Sequence, residues 1–174
     1  MWGFAMKVSD NLIKFIGSYE TPDGKPHLKA VKSPEQANSK NVEYEIGWGH
    51  NSDEYFTVSK DSEITYEKAC DLLRYDIWQA EFSVKRFCVK HNLTPTQNEF
   101  DAMVSAVYNG VGIGNESYGI TKAIIKGDPA EIEKCWKQWN KMTVNGKKVV
   151  AGGLIKRRAD ELNIFFNGVY KRTS

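Results

Sequence analysis

The sequence predicts an α+β fold in which a small antiparallel sheet is followed by a helical bundle. Three observations predict it. Residues 21–63 lack a helical period and carry short alternating apolar pieces. Residues 66–90 keep near-helical apolar spacing over a length that suits a helix bridging two lobes. Beyond them, Thr94-Pro95-Thr96-Gln97 and Asp128-Pro129-Ala130-Glu131 read as helix start signals.

In chain order, Leu12, Ile13, Ile16 and Tyr19 form one helical stripe, with Ser9 as N-cap and Val8 placed to staple onto Ile13. The turn chemistry of Thr21-Pro22-Asp23-Gly24 ends this helix near Glu20. Strands are expected around 28–31, 42–48 and 55–58, with the polar stretch 34–41 as an inserted loop. Thr65 caps the long helix carrying Ala69, Leu72, Leu73, Ala80, Val84, Phe87 and Cys88. A capping box at Thr94 and Gln97 opens the helix of Phe100, Met103, Val104 and Val107, which stops at Asn109-Gly110. Asp128 opens a helix with Ile132, Cys135, Trp136 and Trp139 on one face, where the tryptophans read as core before they read as binding platform. Asn145-Gly146 marks a type I′ hairpin, and a last helix runs from about Leu154 to Phe166. The expected organisation is one domain over 1–174: a sheet lobe at about 21–63, a bridging helix at about 66–90, and a helical lobe at about 91–174 joined by the N-terminal helix.

Of the 174 residues, 41% are apolar and 26% charged, as in a folded globular chain, and the net charge is +2. No Lys/Arg block is dense enough for a nucleic-acid stripe, so no nucleic-acid partner is expected. The start, MWGFAMKVSDN, has neither the basic-then-apolar pattern of a secretory signal nor an anchor, so synthesis in the cytoplasm without membrane insertion is expected. Cys70, Cys88 and Cys135 sit among apolar residues in helical patterns and read as buried free thiols. Scattered histidines, His27, His50 and His91, with no C-x-x-C or H-E-x-x-H, give no metal site, and no cofactor is expected. The glycines of NGVGIG follow a helix instead of opening one, which argues against a phosphate cradle.

Carboxylates near turns and strands remain as candidates for chemistry. Glu45 lies in EYEIGWGH, on the opposite strand face from Tyr44 and Ile46, a face that is either solvent surface or working cleft. Trp48, on the alternate side from Glu45, reads as core before sugar platform. Glu20 sits at a helix C-terminus beside a loop.

Four stretches, in order and over nearly the whole chain, carry a resemblance: IGSYE (16–20), YEIGWGH (44–50), QNEFDAMVSAVYN (97–109) and GLIKRRADELNIF (153–165). The chain resembles the phage-type lysozymes (endolysins) of glycoside hydrolase family 24, whose segments Q-x-x-F-D-A-L-V-S-F-x-x-N and G-L-x-x-R-R-x-x-E the last two follow. The resemblance implies a lysozyme-like α+β fold with a cleft between lobes, and hydrolysis of the glycan strand of peptidoglycan between N-acetylmuramic acid and N-acetylglucosamine. It implies action on the bacterial wall, after holin-dependent release or as part of a phage particle, by a protein expected to be a monomer.

The family's catalytic pattern is Glu-x8-Asp-x5-Thr. Glu20 takes the glutamate position as general acid, the threonine position holds Glu45, and the aspartate position most nearly holds Ser33, with Asp23 as a displaced alternative. The spacing from Glu20 to Glu45 exceeds the family's. Glycoside cleavage needs a protonated acid and a second carboxylate, and Glu20 with Glu45 as base or nucleophile meets both needs. By the same resemblance Arg158, or Arg157, orients Glu20; the plainer reading is an ion pair of Arg158 with Glu161 on its own helix. Asn109 either donates to an N-acetyl group or caps its helix. His50 reads as a structural histidine paired with Asp71 or Asp76. Two other functions stay open: a lytic transglycosylase using Glu20 alone, and a non-catalytic peptidoglycan-binding particle protein.

Overall fold

A computed structural model describes residues 6–33, 43–144 and 146–173. The expected loop at 34–41, Val42 and Asn145 of the hairpin lie outside the described residues. The chain divides into two compact units, Ile13–Trp78, and Met1–Leu12 together with Gln79–Ser174. No helix among the described residues is long and apolar enough to cross a membrane.

The first unit contains most of α1 (Asp10–Glu20), the strands β1 (His27–Lys32), β2 (Tyr44–Gly47) and β3 (His50–Asn51), and the start of α2 (Tyr66–Lys90). The strands form an antiparallel sheet in that order, with Val31 opposite Glu45, Glu45 opposite Asn51, and Ile46 opposite His50. The turn from β2 to β3 runs through Gly47 and Gly49 at positive φ, a conformation that favours glycine. Ile46, Val58 and Leu72 form the core beneath the sheet, with Ala30, Tyr44, Phe56 and Ile64 packed against them. Thr65 caps α2 as expected, its Oγ1 accepting the Lys68 N–H at 3.2 Å.

The strand expected at 55–58 does not form. Asp53 Oδ1 accepts the backbone N–H groups of Tyr55 and Phe56, and Ser52 Oγ bonds both N–H and C=O of Val58, so side chains take the groups that a ladder would need. The segment that pairs with β1 on its other side is 62–64, where Ala30 donates to Ser62 O and Ile64 to Leu28 O.

The second unit holds the rest of α2, then α3 (Gln97–Tyr108), α4 (Gly119–Lys126), α5 (Pro129–Lys137), the hairpin β4 (Lys141–Val144) and β5 (Lys147–Val150), and α6 (Gly152–Asn167). Phe100, Met103, Val104, Trp136, Ile164 and Phe165 are buried in its core, with Trp136 edge-on to Phe165. Buried Asp101 ties three segments together: it accepts from Ser9 Oγ at 2.6 Å, Gln97 Nε2 at 2.9 Å and Tyr170 OH at 2.7 Å. Ser9 in turn caps α1 through the Leu12 N–H.

Helix α3 starts two residues later than its sequence suggests. The capping box is Thr96 with Glu99, whose carboxylate accepts the Thr96 N–H at 2.7 Å. An ionised acceptor makes the stronger bond, and Gln97 is taken up by Lys7 O and Asp101. Helix α4 carries no start signal: Tyr118 at its N-cap makes no side-chain cap bond. Helix α5, capped by Asp128 as expected, ends at Lys137, so Trp139 lies past its end while Trp136 is fully buried. All three cysteines are free; Cys88 is buried, which pushes its thiol up to about 11, and Cys70 and Cys135 are half-buried.

Candidate active site

Glu20 and Glu45 both belong to the unit Ile13–Trp78. Glu20 is the last residue of α1 and is half-buried. Glu45 is the second residue of the central strand β2, also half-buried. Residues directly opposite in an antiparallel pair share a face, so Glu45 lies with Val31 and Asn51, while Ile46 and His50 face the core.

One contact ties the two elements. Gly17, one helical turn before Glu20, lies against the Trp48 indole so closely that an added Cβ would come within 2.6 Å of Trp48 Cε2. Trp48 is 6% exposed, packs edge-on to Tyr66, and donates Nε1–H to Gly24 O at 3.3 Å. It is thus a core residue that joins the end of α1, the turn after it and the β2–β3 turn. The turn after α1 is closed by Gly24 N–H to Thr21 O and by Thr21 Oγ1 to Lys25 O.

Ser33 is buried just beyond β1 and donates its N–H to Glu43 O at 3.0 Å. Asp23 is exposed, its Oδ1 accepting the Lys25 N–H. A depression of about 350 Å³ is lined by Glu43, Tyr44, Asn51, Ser52 and Val58, and Glu45 is not part of its lining. The larger depression, about 1260 Å³, lies in the other unit between 82 and 115 and includes none of the expected site residues.

His50 is 3% exposed, with Nδ1 2.8 Å from Asp76 Oδ1 and Nε2 3.6 Å from Asp53 Oδ1. Its place is structural, beneath the sheet, and Asp76 is its partner. Burial pushes the Asp76 carboxyl up, against the pull of His50. The Phe56 N–H, with that of Tyr55, holds Asp53 below its ordinary value.

Arg158 and Asn109 sit in the other unit, in a buried network. Arg158 Nε lies 2.7 Å from Glu161 Oε2, and its NH2 bridges Glu161 Oε1 and Asn109 Oδ1, both at 2.8 Å. Glu161 also accepts from Ser105 Oγ and Trp136 Nε1, and pairs with Arg157 Nε at 3.3 Å. The ion pair of Arg158 with Glu161 is therefore formed. Asn109 both ends α3 and turns its carbonyl oxygen to Arg158, which leaves its NH2 group as donor. The Gly17–Trp48 contact and the Glu161 hub were not apparent in the sequence; the glycine within an amphipathic helix was the only signal of the first.

The phage lysozyme family profile matches residues 28–161, a span that holds Glu45, Asn109 and Arg158 and begins after Glu20. The chain is 34% identical over 171 residues to an endolysin of Bacillus phage PZA, covering 97% of this chain and 58% of that protein. It spans little more than half the length of such curated relatives. Among solved structures, an endolysin from Escherichia coli O157:H7 phage FAHEc1 superposes with a TM-score of 0.77 at 28% identity, covering 96% of this chain and 98% of that one. The muramidase domain of SpmX from Asticaccaulis excentricus superposes with a TM-score of 0.69 at 26% identity, covering 92% and 98%.

Proposed function

Because the chain belongs to the phage lysozyme family, we propose that it is a glycoside hydrolase, a muramidase that hydrolyses the β-1,4 bond between N-acetylmuramic acid and N-acetylglucosamine in peptidoglycan. The observation that carries this reading is the Gly17–Trp48 contact, which fixes the turn of α1 that ends in Glu20 against the turn that follows Glu45.

Glu20 is the general acid and protonates the leaving glycosidic oxygen. In that role its carboxyl carries the proton that passes to the oxygen. Glu45 is the second carboxylate. It either takes a proton from the attacking water or attacks the anomeric carbon, which a threonine hydroxyl in its place could do only poorly. Ser33 supports this assignment, because a buried hydroxyl at the aspartate position supplies no base.

Arg158 is a positioning residue: it holds the Asn109 side chain so that the amide NH2 can donate to an acetamido carbonyl. Two carboxylates suffice for the cleavage, so no cofactor enters it. The protein acts as a monomer on the glycan strand of the bacterial wall, reached after holin-dependent release or as part of a phage particle.

Mass spectrometry of peptidoglycan digested by the wild type and by Glu20→Gln tests this reading. Reducing-end muropeptides from the wild type and none from the variant are expected. Anhydro-muramyl ends would instead identify a transglycosylase, and an intact wall after wild-type treatment would identify a binding protein.

A further inference from the structure

His50, Asp53 and Asp76 each bring one donor atom within 4.8 Å of those of the other two, and the proposed cleavage uses none of them. Their pairing is uneven. Asp76 Oδ1 is 2.8 Å from Nδ1, a hydrogen bond, whereas Asp53 Oδ1 stands 3.6 Å from Nε2, beyond hydrogen-bond reach. Nε2 thus has no hydrogen-bond partner among the described residues, in a ring that is 3% exposed. A buried polar atom left in that way is costly unless something meets it.

The gap is held open by fixed groups. Asp53 Oδ1 accepts the Tyr55 N–H at 2.8 Å and the Phe56 N–H at 2.9 Å, so its carboxylate does not swing toward the ring. On the other side, a carboxylate that accepts Nδ1–H leaves the imidazole lone pair on Nε2, the arrangement in which histidines ligate metals. An ion about 2.1 Å from both Nε2 and an Asp53 oxygen would subtend an angle of about 118° across this gap, near the tetrahedral value.

We propose that this unit binds a divalent transition-metal ion of the zinc type, with His50 Nε2 and the Asp53 carboxylate as ligands, Asp76 orienting the ring, and water completing the coordination. One imidazole and one carboxylate favour such an ion over calcium or magnesium, which take oxygen donors. The two ligands come from β3 and the turn after it, and Asp76 ties the ligating ring to α2, so the ion fastens that turn to the sheet within this unit. It acts on stability and not on the cleavage.

The test is calorimetric titration and thermal melting of chelator-treated protein with zinc chloride, for the wild type and Asp53→Asn. Asparagine keeps an Oδ1 for the two backbone N–H groups and so preserves the turn. One ion per chain is expected, with a melting shift of about 5–11 °C at a zinc concentration about 100 times Kd. The variant should melt near the wild type without zinc and bind it at least tenfold more weakly. Cobalt(II) should give the visible absorption of a four-coordinate ion in the wild type alone. Absence of zinc binding by the wild type would overturn the proposal. Equal binding by Asp53→Asn would also overturn it, by placing the ion elsewhere.

Discussion

Gly17 and Trp48 meet so closely that no side chain larger than hydrogen fits between the helix backbone and the indole. The contact joins the two elements that bear the candidate carboxylates, and the indole is rigid, buried and hydrogen-bonded to Gly24 O. Gly17→Ala must therefore displace either the helix or the indole. Overpacking of this kind costs about 1–3 kcal/mol. A lower melting temperature is expected and, in the folded fraction, a loss of wall-cleaving rate larger than the loss of folded protein explains. Melting followed by a rate measurement well below the midpoint checks both.

Glu161 offers a second prediction. It is fully buried and faces Arg157 and Arg158, so Glu161→Gln leaves two buried guanidinium groups without their carboxylate. Breaking a buried pair from one side costs about 3–5 kcal/mol. The exposed Lys137–Glu133 pair on α5 is the control, because exposed pairs contribute less than about 1 kcal/mol. Urea midpoints for Glu161→Gln and Glu133→Gln should differ accordingly.

The third prediction concerns alkaline pH. Burial, and then the hydrogen bond to Asp101, raise the Tyr170 hydroxyl above its ordinary value. A folded-state value above the unfolded one means that the stability contributed by this bond is fully present below the unfolded tyrosine value of about 10, and is lost as pH rises beyond it. The melting-temperature difference between wild type and Tyr170→Phe should therefore shrink between about pH 8 and about pH 11. A difference that stays constant would contradict the assignment.

How far the sequence led depended on whether a feature was local. Helix starts at Ser9, Thr65 and Asp128 were legible because cap and first turn adjoin in the chain. Where two caps compete within three residues, as Thr94 and Thr96 do, the outcome was set by Gln97 finding Lys7 and Asp101, which no local pattern shows. The lost strand at 55–58 has a local cause instead, since the neighbouring Asp53 and Ser52 side chains captured its backbone groups. Family resemblance singled out Glu20 and Glu45. It could not show that Trp48 seats on Gly17, that Glu161 takes four partners, or that His50 Nε2 faces Asp53 across a gap.

Glu45 is proposed to do the work of the second carboxylate from a position where the family pattern has threonine. The direct measurement is the rate of reducing-end formation from purified peptidoglycan by Glu45→Gln, alongside its melting curve. A folded protein whose rate falls by at least about 100-fold is expected, as loss of a general base or nucleophile requires. A rate within a few-fold of wild type would contradict it.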